Sequence, residues 1–383
     1  MSLPRIAGRV DMDGTKPAMN RRNTMFLAIR DIRFAKGRFA LMASVVALIT
    51  LLLVMLSGLT AGLGNQSTSA IGALPVQQIV FGAPTGGEPK ASFTESEVSS
   101  AQLETWRDQP GVTSAQALGI SQSRVLSLGE GGAPSGTANT AVFGGAGAPA
   151  AVEDGTVVIG ETLAKELSLE AGGRVRVGRT DLTVAEVVED QWYSHTGVVW
   201  TTLDTWRTIA HAAPGTATVI TATYDAGSSV DLNAANAAAG TVSSDPVGSF
   251  QALASYKSEN GSLMLMQAFL YGISALVIVA FLTVWTVQRT RDIAVLKAMG
   301  ASSGYVLRDA LAQAALVLLI GAGVGGLIGV AGGFFAAQAA PFLITPVTTL
   351  VPIAGIVLLG LAGAVLAVRN VTKVDPLLAL GGN

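Results

Sequence analysis

The chain has 383 residues, 50% of them apolar and only 13% charged, with a net charge of −2, no cysteine and two histidines. A soluble domain carries about 25% charged residues, so an ordinary water-soluble fold is excluded. The missing cysteines exclude a disulfide scaffold and thiol chemistry, and two histidines leave no metal cluster of convincing spacing.

Residues 1–21 show no periodicity and read as a disordered lead-in, or as an artificial extension ahead of a start at Met19 or Met25. Over 22–38, Met25, Ala28, Ile29, Ile32 and Ala35 recur at helical spacing, with Arg30, Arg33 and Lys36 elsewhere around the helix. This predicts an amphipathic helix in the membrane interface. Residues 39–60 contain no charged residue or histidine and are long enough to span a bilayer. The run is too long for a signal-peptide core and lacks a cleavage site, so it reads as transmembrane helix 1.

A long insert, 64–262, follows. Residues 75–82 are strand-like and 95–108 helical. The Gly-, Ala- and Pro-rich stretch 128–150 reads as a mobile or meandering loop rather than a domain boundary. Residues 156–190 predict a strand, a short helix bearing Leu163, Leu167 and Leu169, a turn at Gly172-Gly173, and two strands. Val175 and Val177 alternate with Arg174 and Arg176, as on a half-exposed strand. Residues 232–239 look helical, and 251–262 lead back to the membrane. An α+β domain is expected, held by its own core, for which roughly 200 residues suffice.

Residues 263–287, 310–337 and 347–368 are three further uncharged runs, read as transmembrane helices 2, 3 and 4. Seven glycines between 321 and 333 crowd the third span. Gly325-x3-Gly329 and Gly329-x3-Gly333 predict close backbone approach. Outside the insert, fifteen basic residues stand against six acidic ones; within it, nine stand against twenty. Basic loops stay in the cytoplasm. Both termini, the 288–308 loop and the 369–383 tail are therefore assigned to the cytoplasm, and the insert to the other side.

The 288–308 loop is long enough for a separate helix. Ile293, Leu296 and Met299 form an apolar edge, Arg289, Arg291 and Lys297 flank it, and Gly300 is placed as a C-cap. An apolar edge on a solvated helix needs a partner to cover it. Its sequence from Arg289 to Ala301, RTRDIAVLKAMGA, resembles the R-x-R-[DE]-I-x-x-L-K-A-x-G-A coupling helix of FtsX/MacB-like ABC transporter permeases. The tail VDPLLAL (374–380) is similar to the V-D-P-x-x-A-L ending of that family, and 156–188 resembles its extracytoplasmic core. One span, a large domain and three spans is the family's topology.

The resemblance implies a membrane α-helical dimeric permease with four transmembrane helices and an α+β extracytoplasmic MacB-like domain between the first and second. It implies two copies of a cytoplasmic ABC ATPase subunit that bind ATP and dock at Arg289, Arg291, Ile293, Leu296, Lys297, Met299 and Gly300. The location implied is the bacterial inner membrane. The chain itself contains no G-x-x-x-x-G-K-[ST] phosphate loop and no G-x-S-x-G nucleophile, so no catalysis, permanently bound cofactor, resident metal or nucleic-acid partner is expected.

Three substrate readings compete within the family: export of a hydrophobic small molecule such as heme, handling of lipoproteins or peptide antibiotics, and signalling to a cell-wall hydrolase. The insert is larger than in the signalling type, and the chain lacks the extra spans of the antibiotic-resistance type. The stretch WYSHTGVVW (192–200) resembles the compact heme-exporter type. Heme iron accepts Tyr, His or Met ligands. Candidate substrate contacts are Met55 at the far end of span 1 and Met264, Gln267 and Tyr271 on one face of span 2. Tyr256 and Lys257 lie just above it, the lysine suited to a propionate; Tyr193 and His195 lie in the insert. The plainer readings are packing for the methionines, interfacial anchoring for the tyrosines and a turn for His195. An amide in a span, as at Gln267, faces a neighbouring helix or a cavity.

Overall fold

The computed structural model describes residues 36–84, 87–129, 132–225, 227, 230–288, 290, 294–295, 299–300 and 302–371. The expected lead-in, all but the last residues of the interfacial helix, and the tail from 372 lie outside the described residues.

Among the described residues, four helices are long and apolar enough to cross a membrane. The first, α1, spans Lys36–Gly72 and continues well past the expected end at Thr60. Its polar side chains do not break it, because Thr60 and Thr68 each donate to the carbonyl four residues back, at 2.8 Å. The insert then runs β1 (Gln78–Phe81), β2 (Val98–Ser99), α2 (Ser100–Arg107), β3 (Val112–Leu128), β4 (Pro134–Gly145), β5 (Thr156–Gly160), α3 (Glu161–Leu167), β6 (Arg174–Val177), β7 (Thr180–Val188), β8 (Trp192–Tyr193) and β9 (Thr196–Thr201). It finishes with α4 (Leu203–Ala210), β10 (Thr216–Ala217), β11 (Val219–Tyr224), α5 (Leu232–Ala239), β12 (Val242–Ser244) and a 3-10 turn at Gly248–Ala252. The remaining long helices are α6 (Ala254–Gln288), α7 (Ser303–Ala336) and α8 (Pro346–Val371). At about 1.5 Å per residue, α1 and α6 are each about 50 Å long, against about 30 Å of hydrocarbon. Both are too long to end inside a bilayer.

The chain forms two compact units. The larger comprises 53–270 and 329–349 and contains the insert domain. Among the described residues, ten strands make one sheet in the order β12-β1-β11-β3-β4-β9-β5-β7-β6, with β8 hairpinned onto β9. Long β3 also pairs through its second half with β6 (Val125↔Val177, Ser127↔Val175), so the strands from β3 round to β6 close into a barrel. Val125, Val142, Ile159, Val175, Val177 and Val199 fill one core, capped by Leu163 and Leu167 of α3 and Trp206 of α4. The opposite face carries Phe81, Leu118, Phe143, Tyr193 and Trp200, and here the last turn of α1 (Ile71, with Leu74 beyond it) and Leu253, just before α6, are buried in the same core. A third core packs Trp106 of α2 and Ala235 of α5 on β1, β11 and the first half of β3.

The strand–helix–turn–strand–strand order expected over 156–190 is present. Two expectations are corrected. The stretch 128–150 is no loop: 134–145 is β4, a central strand paired with both β3 and β9. Ala141 and Phe143 enter one core and Val142 the other. A strand buried on both faces shows no polar alternation, and its small residues hid it. The helix expected from 95 begins at Ser100, where Ser99 and Gln102 form a reciprocal capping box.

Trp206 lies against two glycines; a Cβ on Gly119 or Gly144 would sit 2.1 Å from it. Gly144→Ala is therefore expected to unseat the barrel cap and cost about 2 kcal/mol or more. A thermal melt of the purified full chain followed by tryptophan fluorescence measures it, and an unchanged melt would contradict the packing.

The smaller unit comprises 1–52, 271–328 and 350–383. Here α7 lies on α1 through Gly321 and Gly325. A Cβ on Gly325 would stand 2.2 Å from the Ala47 carbonyl oxygen, and one on Gly321 2.8 Å from that of Ala43. The close approach predicted from glycine spacing is real, but its tight pair is Gly321-x3-Gly325, packed within the chain. Gly333 belongs to the other unit, where a Cβ would meet Phe342 and Ile344.

Candidate functional site

The insert domain grips the projecting parts of α1 and α6 with a hairpin. β8 and β9 pair as Trp192↔Gly197 and Tyr193↔Thr196, leaving Ser194 and His195 as a two-residue turn. Their φ values are 50° and 63°, the both-positive geometry of a type I′ turn, usually filled by Asn-Gly. The conformation is held by bonds to α1. The Trp192 N–H donates to Ser69 Oγ at 2.8 Å, Ser194 N–H to the Ser67 carbonyl at 3.0 Å, and His195 N–H to the Gln66 carbonyl at 3.0 Å. Toward α6, Ser194 Oγ lies 3.2 Å from Ser255 Oγ, and His195 Nε2 lies 2.8 and 3.1 Å from the two Glu259 oxygens. Ser67 Oγ is also 3.1 Å from that nitrogen. One turn thus ties the domain to both helices.

An ionised carboxylate only accepts, so Nε2 carries the proton and Glu259 fixes the ring. Ser67 and Glu259 share one nitrogen, whereas a charge relay needs the nucleophile on one and the acid on the other. The cluster does not have the geometry of a charge relay. His195 is the turn residue of its plainer reading, and its Nε2 is engaged. Tyr193 is 5% exposed and packs edge-on against Phe93 and Phe143 at 5.9 and 5.3 Å. Burial pushes its phenol well above its ordinary value. As a buried neutral phenol it is a core residue, and the structure does not bring it to the other substrate candidates.

Those candidates lie along α1 and α6. Tyr256 stacks edge-on with Phe250 at 5.7 Å, and its ring would lie 3.6 Å from a Cβ on Gly64 of α1. Lys257 is exposed. Met264 is 60% exposed, with the Asn260 amide 3.8 Å from its sulfur. Gln267 is half-buried. Met55 points to α7, where a Cβ on Gly332 would lie 3.5 Å from its sulfur. Tyr271, in the smaller unit, lies against Gly355 of α8. The i, i+4 spacing of Tyr256, Asn260 and Met264 sets one face of α6; Met55 and Tyr271 face other helices.

Of the residues expected to dock an ATPase, Arg289, Arg291, Ile293, Leu296 and Lys297 lie outside the described residues. Met299 is 73% exposed, and Gly300 has φ +95°, the left-handed geometry expected of the capping glycine. Residues that sequence reasoning missed are Ser67, Ser69 and Glu259: nothing local marks a helix as the seat of a distant turn.

Residues 264–376 match the FtsX-like permease C-terminal family, and residues 24–242 match the MacB-like periplasmic core domain. A Staphylococcus epidermidis protein bearing the provisional name hemin transport system permease protein HrtB is 22% identical over 360 residues, covering 94% of this chain and 99% of that protein. An uncharacterized ABC transporter permease of Mycobacterium bovis is 25% identical over 382 residues, with the same coverage. Among solved structures, the extracellular domain of the ABC-type transporter YknZ covers 44% of this chain at 12% identity and a TM-score of 0.32. The periplasmic region of MacB from Actinobacillus actinomycetemcomitans covers 46%, at 12% and 0.34. An ABC permease of this family works with a partner ATPase subunit. The chain belongs to the FtsX/MacB-like family of ABC transporter permeases: a multi-pass bacterial membrane protein with a MacB-like periplasmic domain between its first and second membrane helices.

Proposed function

We propose that this permease is the non-catalytic membrane subunit of an exporter that expels a hydrophobic molecule, heme being the favoured cargo. Two copies form a dimer and dock two ATP-hydrolysing subunits on the 288–308 loop. Both termini and that loop are cytoplasmic and the insert domain lies outside, as the basic and acidic segments of the chain suggest. The names carried by relatives that align over nearly the whole chain support the cargo.

One observation carries the mechanism: α6 is a single helix of 35 residues that begins beside the hairpin contacts Ser255 and Glu259 and ends at the coupling loop. A continuous helix transmits displacement along its axis, so movement of the loop by the ATPase reaches the insert domain through α6. Tyr256, Lys257, Met264 and Gln267 on α6 are the proposed cargo contacts. A tyrosine or methionine would ligate iron, and Lys257 would meet a propionate. Tyr193 and His195 act instead in the core and at the hairpin.

Titrating hemin into the full chain in lipid nanodiscs is expected to give a saturable Soret shift, weakened by Tyr256→Phe and Met264→Leu. No shift at micromolar hemin would reject heme and leave a lipid or peptide cargo. Separately, His195→Asn keeps a residue tolerant of positive φ, and Glu259→Gln removes the charge. Each is expected to change the melt by about 1 kcal/mol or less, since the pair is part-exposed and the backbone bonds remain. Each should cut transport in proteoliposomes several-fold. Full transport in both variants would reject the hairpin as a transmission point.

A further inference from the structure

The connection between α7 and α8, residues 337–345, forms a strap across α1. A Cβ on Gly58 of α1 would overlap the Phe342 ring, and one on Gly62 would overlap the Pro341 carbonyl oxygen. The Leu343 N–H donates to the Gly58 carbonyl at 3.0 Å. The same Phe342 ring lies on α7, where a Cβ on Gly333 would stand 2.6 Å from it. All of these residues belong to the larger unit.

The strap is braced at both ends. At its start the Ala337 and Ala340 N–H groups donate to the Gly333 and Ala336 carbonyls, each at 2.9 Å. At its end the Thr345 N–H donates to Thr348 Oγ1 at 2.9 Å and the Thr348 N–H to Thr345 Oγ1 at 3.1 Å. Thr348 Oγ1 also lies 3.1 Å from the Leu343 carbonyl. Met55, about one turn earlier on α1, meets α7 through a flexible thioether, with ordinary clearance at Gly332. At Gly58 and Gly62 no side chain can adjust, so the strap fixes the α1 backbone itself.

Helix geometry puts α6 on the far side of α1 from the strap. Gly58 and Gly62 share one face, and Gly64 stands about 200° round the helix from Gly62. A Cβ on Gly64 would lie 3.6 Å from the Tyr256 ring of α6. At this level α1 is therefore held between the strap and α6. Further along α6 no residue from 261 to 270 is buried, and the proposed cargo contacts Met264 and Gln267 lie there. We propose that Phe342 is a positioning residue for the cargo: in contact with both α1 and α7, it holds α1 at a set distance from α6, and that distance fixes the width of the cleft that receives the cargo. This rests on the reading that the cargo meets α6. A flat ring with few torsions sets a spacing that a longer, more flexible side chain would not.

The test uses the full chain in nanodiscs with hemin as the probe. Phe342→Ala unseats α1, so hemin affinity is expected to fall with the fraction of chains that keep α1 in place, about tenfold. Phe342→Leu keeps a bulky apolar side chain and should lose less. The chain has no cysteine, so Gly58→Cys combined with Phe342→Cys supplies the only thiol pair. This double variant should bind hemin weakly when reduced. It should regain affinity when a short bifunctional thiol reagent ties the strap to α1, a rescue that a general loss of packing would not show. A second measurement needs no cargo. Nitroxide labels on Ala61→Cys and Leu265→Cys, with labelled chain diluted into unlabelled chain, report the spacing of α1 and α6, which Phe342→Ala should shift or broaden. Unchanged spacing overturns the proposal, and so does a Phe342→Ala variant that binds hemin as tightly as the parent. If the parent itself binds no hemin, the heme reading fails and the label spacing alone decides the role of the strap.

Discussion

Met299→Asp is expected to abolish ATP-dependent transport while the permease still inserts and folds. Met299 stands just ahead of Gly300, its N–H donating to the Val295 carbonyl at 3.0 Å, and at 73% exposure its thioether lies uncovered outside the uncharged spans. Covering a side chain of this size contributes about 1.5–3 kcal/mol, and a carboxylate forced into the same contact adds its own desolvation cost. Affinity for the ATPase subunit should fall by about a hundredfold or more. Among the described residues the side chain is exposed, so the melt should not change. Co-purification of the two subunits, with efflux from proteoliposomes, measures both effects. Leu296→Asp should behave alike, on the sequence pattern alone. Undiminished transport in both variants would remove the coupling assignment.

Gly325→Leu is expected to be among the most damaging single changes in the membrane unit. Its Cβ would lie 2.2 Å from the Ala47 carbonyl oxygen, closer than any real side chain approaches backbone, so α7 and α1 must separate. Membrane helices associate largely through such close packing, and overpacking a tight contact costs about 3 kcal/mol or more. Two residues away, Gly323 has nothing within 4 Å of a Cβ. Gly323→Leu is therefore the control and should melt like the parent. Differential scanning fluorimetry of the two variants in the same detergent distinguishes them, and equal melting would show that α7 does not pack on α1 through this face.

The legible features were local ones. Each span is an unbroken apolar run, because a bilayer imposes its own length on a helix. The helix at Leu232–Ala239 and the elements over 156–190 follow from periodicity and turn residues. Strand β4 was not legible, because Val142 and Phe143 serve different cores and the segment before them is Ser, Gly, Thr, Ala and Asn. Nor were the far reaches of α1 and α6 legible: apart from Ile71 and Tyr256, Gly64–Gly72 and Ala254–Ser262 are polar or small, and look like the edges of a domain rather than continuations of a helix.

The sequence by itself determined that this is a four-span permease with one large domain between the first two spans, since hydrophobicity, charge bias and motif spacing are properties of neighbouring residues. Only the tertiary structure decided what the chemistry-bearing residues of the insert do. Tyr193 and His195 are two residues apart, yet one is buried among aromatic rings and the other is held at Glu259. Strand alternation and a two-residue turn part them. The partner of His195 on α1, Ser67, lies 128 residues away along the chain. Contacts of that separation are set by how sheet and helices pack.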